Sequence, residues 1–229
     1  MRPIFYDTET TGTKPTKDRI IEIAAYDPQQ ERTFCSFVNP QCPIPPEASS
    51  ISHITDDMVQ GAPLFAQIGH DFAAFCGTDC VLIAHNNDAF DQLFLEAEYA
   101  RASLPMPRWT FIDSLKWSRK YRSDLPRHSL QTLREHFGIA ANQAHRALDD
   151  VFVLHQVFSH LVGDLDLATI LELLSQPTHI SRMPFGKHQG KPLAEVPKDY
   201  VAWLAQSGAF EKKENAPLKE AFVQLGRLP

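Results

Sequence analysis

Carboxylates recur along this 229-residue chain at places where a fold could gather them. Asp7 and Glu9 stand two residues apart in Pro3–Glu9, which reads as a strand, so both side chains leave one face within reach of a single ion. Facing carboxylates repel each other, and such pairs are separated, salt-bridged or metal-bound. The turn Thr10-Thr11-Gly12 sets this pair at a strand end, where the sites of α/β proteins tend to sit. A second acidic group follows the apolar run Cys80–Ala84, in His85-Asn86-Asn87-Asp88-Ala89-Phe90-Asp91. Asp88 suits a helix N-cap and Asp91 lies one turn inside, so the two compete for the functional role. The third group is His145-Arg146-Ala147-Leu148-Asp149-Asp150. Asp149 and Asp150 point about 100° apart on a helix, so only one can face a shared centre. His145, with an ordinary pKa near 6.5, suits proton transfer at neutral pH. Each group alone has a plainer reading: solvent-facing strand charges, a helix cap, a surface histidine.

The elements that must position these groups follow from periodicity. Pro3–Glu9, Arg19–Tyr26 and Glu31–Val38 read as strands of an antiparallel meander. Cys42-Pro43-Ile44-Pro45-Pro46 cannot lie inside a sheet, because proline lacks a ladder donor, and it hands over to short helices around Ile51 to Val59. Leu64–Phe75 has helical spacing, and Cys80–His85 has the continuous apolar character of a strand covered on both faces. Helices are predicted over Ala89–Ala102, Asp113–Tyr121 and Ser129–Phe137, with a short strand at Trp109–Ile112. The strongest helix is Arg146–Val162, where Leu148, Val151, Phe152, His155, Phe158, Leu161 and Val162 recur every three or four residues. The class is α/β with a mixed sheet. Leu167–Leu174 reads as a short helix, Ser175-Gln176-Pro177-Thr178 as a linker, and a second small unit begins near His179. The expected division is a main domain over 1–163, a helical linker over 164–178 and a small basic module over 179–229.

Taken in order, Asp7-Thr8-Glu9-Thr10-Thr11-Gly12, then Ala84-His85-Asn86 with Phe90-Asp91, then His145-x-Ala147-x-x-Asp150 resemble the motifs of the DEDDh family of 3′→5′ exonucleases. The resemblance covers residues 1 to about 163. It implies a ribonuclease-H-like core, a five-stranded mixed sheet flanked by helices. It also implies Asp7, Glu9, Asp91 and Asp150 as carboxylate ligands of two divalent ions, with His145 as general base. Mg²⁺ suits such oxygen donors, with Mn²⁺ as its substitute. A pair of ions stabilises the entering and departing oxygens of in-line displacement at phosphorus. By the same resemblance Thr8 and Thr10 approach the 3′-terminal sugar and Phe90 lies beside the terminal base, although core packing of Phe90 is an equal reading. Ile54, in Ile51-Ser52-His53-Ile54-Thr55-Asp56-Asp57-Met58, is expected to wedge against that base; Ser52 stands where many members carry His.

Composition limits the alternatives. With 43% hydrophobic and 22% charged residues, 17 Pro and 10 Gly, the chain is neither collagen-like, low-complexity nor largely disordered. Its longest apolar run, Cys80–Ala84, falls far short of the roughly 20 residues that cross a bilayer, so no membrane span is expected. The start of the chain shows no secretory pattern, so a cytoplasmic, reducing location is expected, with the four Cys as buried free thiols. The net charge of -6 is unevenly spread. Residues 1–100 hold 5 basic and 15 acidic side chains, whereas 101–134 hold Arg101, Arg108, Lys116, Arg119, Lys120, Arg122, Arg127 and Arg134 against Asp113 and Asp124. That basic stretch could border the acidic cleft, giving phosphate contacts that weaken with salt. Trp109, Trp117 and Tyr121 within it either stack bases or fill the core.

Near the C-terminus, Arg182–Lys191 carries three fixed positive charges and no acid. Lys187 and Lys191, on a loop with Gly186 and Gly190, are candidates for contact with a nucleic-acid backbone; the alternative is a hairpin that only packs. This loop, followed by Tyr200-x-x-Trp203-Leu204, resembles the C-terminal module of exodeoxyribonuclease X enzymes. The expected activity is release of nucleoside 5′-monophosphates from DNA 3′ ends, single-stranded or frayed. RNA is the alternative substrate, and a proofreading or non-catalytic polymerase partner the alternative role.

Overall fold

Period-two alternation in the first strand decides where the helical layers pack. The computed structural model describes residues 1–141, 146–176, 180–212 and 215–228. Strands β1 (Arg2–Thr10), β2 (Ile20–Asp27) and β3 (Arg32–Phe37) form an antiparallel meander, and β4 (Cys80–Ala84) and β5 (Thr110–Asp113) continue parallel from the other edge of β1. The sheet order is β3-β2-β1-β4-β5. The helices are α1 (Pro46–Ser52), α2 (Asp56–Val59), α3 (Phe65–Cys76), α4 (Asp91–Arg101), α5 (Ser114–Tyr121), α6 (Leu130–His136), α7 (Ala147–Val162), α8 (Leu167–Ser175), α9 (Lys198–Gln206) and α10 (Ala216–Gln224). On one face of β1, Phe5 meets His155 and Phe158 of α7 at ring-centroid distances of 4.9 and 5.8 Å. On the other, Ile4 and Tyr6 join a core with Phe72 of α3, Leu82 of β4 and Phe94 of α4, all fully buried. Each such side chain contributes roughly 1.5–3 kcal/mol by leaving water. Every residue of β4 is buried, as its unbroken apolar run requires.

The element ends depart from the sequence pattern for local reasons. Arg19 lies outside β2: beyond the register shift at Thr10 its N–H donates to Thr11 Oγ1 at 2.9 Å, and its guanidinium pairs with Glu98 at 2.7 Å. The helix expected from Ala89 is preceded by a 3₁₀ turn, Asn87–Ala89, and α4 begins only at Asp91. Asp113 ends β5 and caps α5 by accepting from Leu115 N and Lys116 N, at 2.9 and 3.3 Å. Trp109 and Trp117 are core residues, whose indole N–H groups donate to the carbonyls of Gly77 and Leu161. The four cysteines are free, but only Cys76 and Cys80 are buried. Cys35 is exposed on the edge strand β3, and Cys42 is exposed in the proline-rich loop.

The chain divides into two compact units, Met1–Leu171 and Glu172–Pro229, a division that falls inside α8. The second unit has its own core, in which Met183, Leu193 and Val196 meet Val201 and Leu204 of α9 and Leu218 and Phe222 of α10. No helix among the described residues is long and apolar enough to cross a membrane.

Candidate active site

Asp7 and Glu9 leave β1 on the face that α7 covers, near the strand's end, where the pairing register with β2 shifts between Glu9 and Thr10. A bulge at such a point re-aims the neighbouring side chain. Asp150, in the first turn of α7, completes a trio: ligand oxygens of Asp7, Glu9 and Asp150 all lie within 4.8 Å of one another. Asp150 is buried and Asp149 half-buried, which resolves the choice between them. Gln131 of α6 donates to Asp150 Oδ1 at 3.1 Å, and Arg134 Nε in turn donates to Gln131 Oε1 at 2.7 Å. Asp91 is buried at the start of α4, whereas Asp88 is exposed and paired with Lys116. Asp91 Oδ1 accepts from Thr8 N and Thr8 Oγ1 at 3.0 and 2.7 Å, so it lies against β1, beside the trio and not within it.

The electrostatics are those of crowded like charges. Burial pushes Asp7 well above the usual carboxylate range, and the fields of Asp91, Glu9 and Asp150 push it further. Glu9 is raised to about 8, first by burial and then by Asp150, Glu22 and Asp91, with Arg146 opposing. Asp91 is raised to about 7 by burial, although its bonds from Thr8 favour the charged form. These are hard oxygen donors with little cationic compensation among them. The set fits a divalent ion such as Mg²⁺ or Mn²⁺, and contains no thiolate that would suit a softer metal.

Three supporting residues were not singled out by sequence reasoning. Glu22 is the cross-strand partner of Glu9 and is 1% exposed. Its carboxylate accepts from Arg146 Nη2 and Ala147 N, both at 3.2 Å, and so clasps the first turn of α7. A charge inside the apolar run Ile20-Ile21-Glu22-Ile23 was the available signal. Asp113 accepts from Asn86 N and Asp88 N at 3.0 and 3.2 Å, fixing the turn before Asp91. Gln131 carried no signal, because a glutamine on a short helix is an ordinary surface residue.

The remaining expected residues fare differently. His145 lies outside the described residues. Thr8 is buried on Asp91, and Thr10 Oγ1 donates to Gly12 O at 2.6 Å. Phe90 is half-buried, its ring 4.8 Å from that of Phe94. Ile54 corrects an expectation: it is fully buried among Ile21, Ile44 and Val59 and offers no surface to a base, while Ile51 nearby is 55% exposed. Lys187 and Lys191 are exposed in the second unit. Within the basic stretch, Arg101, Lys116, Arg122 and Arg134 pair with Glu98, Asp88, Asp124 and Glu135, while Arg108, Arg119 and Arg127 are exposed.

Residues 4–158 match the exonuclease family model RNase_T. Residues 171–216 match a second family, described as "Putative quorum-sensing-regulated virulence factor". The chain is 39% identical over 164 residues to DNA polymerase III subunit epsilon of Treponema pallidum, covering 69% of this chain and 75% of that protein. It is 33% identical over 165 residues to a PolC-type DNA polymerase III of Caldanaerobacter subterraneus, of which it spans only 12%. Two solved structures share the fold. E. coli exonuclease I in complex with a dA16 oligonucleotide has a TM-score of 0.61 at 21% identity, covering 75% of this chain and 45% of that one. Exonuclease X in complex with 5′ overhanging duplex DNA has a TM-score of 0.58 at 21% identity, covering 76% of this chain and 99% of that one. The match over most of the first unit and the carboxylates gathered at the end of its central strand make this chain a member of the exonuclease family, within the DEDDh group of 3′→5′ exonucleases.

Proposed function

We propose that this chain hydrolyses the terminal phosphodiester at DNA 3′ ends, single-stranded or frayed, releasing nucleoside 5′-monophosphates. The observation that carries the reading is the convergence of Asp7, Glu9 and Asp150 within 4.8 Å, with Asp91 held alongside by Thr8. Asp7, Glu9, Asp91 and Asp150 would hold two Mg²⁺ ions, with Mn²⁺ as substitute. When bound, these ions neutralise the acidic cluster and polarise the phosphoryl oxygens. The protein's own residues do the positioning. Thr8 orients Asp91, Gln131 orients Asp150 with Arg134 behind it, and Glu22 anchors the turn from which α7 begins. His145, one residue before Arg146, takes the proton of the attacking water. Thr10 and Phe90 border the terminal nucleotide, and Lys187 and Lys191 in the module over 179–229 add backbone contacts.

DNA is favoured as substrate because two proteins of the same fold are known with DNA bound. The likeness to an epsilon subunit supports a polymerase as partner, and with it a cytoplasmic location. The test is digestion of matched DNA and RNA, labelled at the 5′ end, in Mg²⁺ or EDTA. The expected result is a DNA ladder that shortens only in Mg²⁺, with turnover cut about 10²- to 10⁴-fold by His145→Ala. Intact DNA in Mg²⁺ would overturn the reading, and decay of RNA alone would replace its substrate.

A further inference from the structure

We propose that the second unit carries a stacking platform for single-stranded nucleic acid, made by Tyr200 and Trp203 of α9 and edged by Lys187 and Lys191. The ligand class and the two lysines are shared with the proposed function, but the platform uses none of the carboxylates and needs no metal.

Helix α9 sends Val201 and Leu204 into the core of its unit and leaves Trp203 55% exposed. Trp109 and Trp117, by contrast, are 7% and 2% exposed. Tyr200 and Trp203, three residues apart, share a helix face. Their rings stack at a centroid distance of 5.5 Å and an interplanar angle of 25°, Trp203 being the exposed member and Tyr200 half-buried against the core. His188 meets the Tyr200 ring edge-on at 4.6 Å.

The basic loop is fastened to that surface. Gly186 has φ +78°, and a Cβ there would lie 2.4 Å from Tyr200 Oη, so only glycine lets the backbone close over the phenol. The loop is also braced within itself: Gly190 N donates to Met183 O and Met183 N to Lys191 O, both at 2.8 Å, and Arg182 Nη1 donates to Gly190 O at 2.9 Å. Lys187 and Lys191 therefore project from a fixed turn, both exposed, in a ten-residue stretch without an acid. The nearest acids in sequence, Glu195 and Asp199, are exposed beyond it, and Asp199 accepts from Tyr200 N at 2.9 Å.

An exposed indole backed by a stacked phenol, beside fixed cations, is complementary to bases flanked by phosphates. A single strand is the form selected, because in a duplex the base faces are already stacked. An acidic protein partner could meet the lysines but would leave the flat ring surface without a π-face to cover it.

Intrinsic fluorescence gives a direct test, since Trp203 is the one exposed tryptophan of three. The full chain is titrated in EDTA with a fluorophore-free single-stranded oligonucleotide, and affinity is read in parallel by anisotropy with a labelled copy. Expected results are quenching of emission in the wild type, affinity weakened about 5- to 100-fold in Trp203→Ala, and binding largely retained in Trp203→Phe. Replacing Lys187 and Lys191 with Gln should lower the slope of log affinity against log salt by about 1.4. Trp203 lies outside the core, and circular dichroism checks that its variants remain folded. Absence of quenching, or wild-type affinity in Trp203→Ala, overturns the platform. Quenching in EDTA supports it whatever the digestion assay in Mg²⁺ returns, so the two readings fail separately.

Discussion

Glu9 shows what the site demands of a single residue. Held among Asp150, Glu22 and Asp91 and withdrawn from water, it is raised from 4.5 to about 8. In the metal-free fold it therefore keeps a proton that the unfolded chain has already released. The stabilisation this represents is complete below pH 4.5 and is lost as pH climbs through about 8. Asp7 and Asp91 shift in the same direction and add to the trend. Thermal melts in EDTA should thus fall steadily between about pH 4.5 and 8, and Mg²⁺ should raise the melting temperature more at pH 8 than at pH 5. A melting temperature in EDTA that is flat over this window would show that the carboxylates are not crowded in solution. At this scale the sequence was most legible where spacing alone decides geometry. Asp7 and Glu9 must share a face, and Asp150 must head its helix. It was least legible for Glu22, whose partner Arg146 is 124 residues away, and for Ile54, where an apolar side chain reads the same whether it faces a base or a core.

Among the elements, α7 brings Asp150 to the two carboxylates of β1, and its first turn depends on a strand. Glu22 of β2 accepts both the Arg146 guanidinium and the Ala147 amide, so Glu22→Ala removes a charged cap and strands two donors. We expect a loss on the order of 1–3 kcal/mol, read as a lower urea midpoint at unchanged m-value. Turnover should fall as well, because Asp150 lies in the loosened turn. Arg146→Ala should cost less stability, since its side chain is one-third exposed and already partly solvated. An unchanged midpoint in Glu22→Ala would mean that packing alone seats α7 on the sheet. Periodicity identified the strands and longer helices because each buries one face or both. It misjudged their ends, where individual bonds decide. Arg19 N donates to the Thr11 hydroxyl where the register shifts, and α4 waits for Asp91 because the preceding residues form a tighter turn bound to Asp113.

For the molecule as a whole, the order of strands in the sheet has a consequence for synthesis. The central strand β1 is made first, yet its parallel partner β4 arrives much later, Arg2 pairing with Cys80. The helix that covers Phe5 and supplies Asp150 comes later still. Such distant pairings incur the entropy of closing long loops before contacts can repay it, so this end of the sheet assembles late. A chain still held on the ribosome at residue 140 has Asp7, Glu9 and Asp91 but lacks Asp150. Stalled chains of that length should leave labelled DNA intact in Mg²⁺, whereas chains extended past α7 and clear of the exit tunnel should degrade it. Digestion by the shorter chain would mean that three carboxylates suffice. On the proposed reading Asp150 is the last ligand to be translated, so the nuclease stays disarmed until α7 has emerged and seated itself on the sheet.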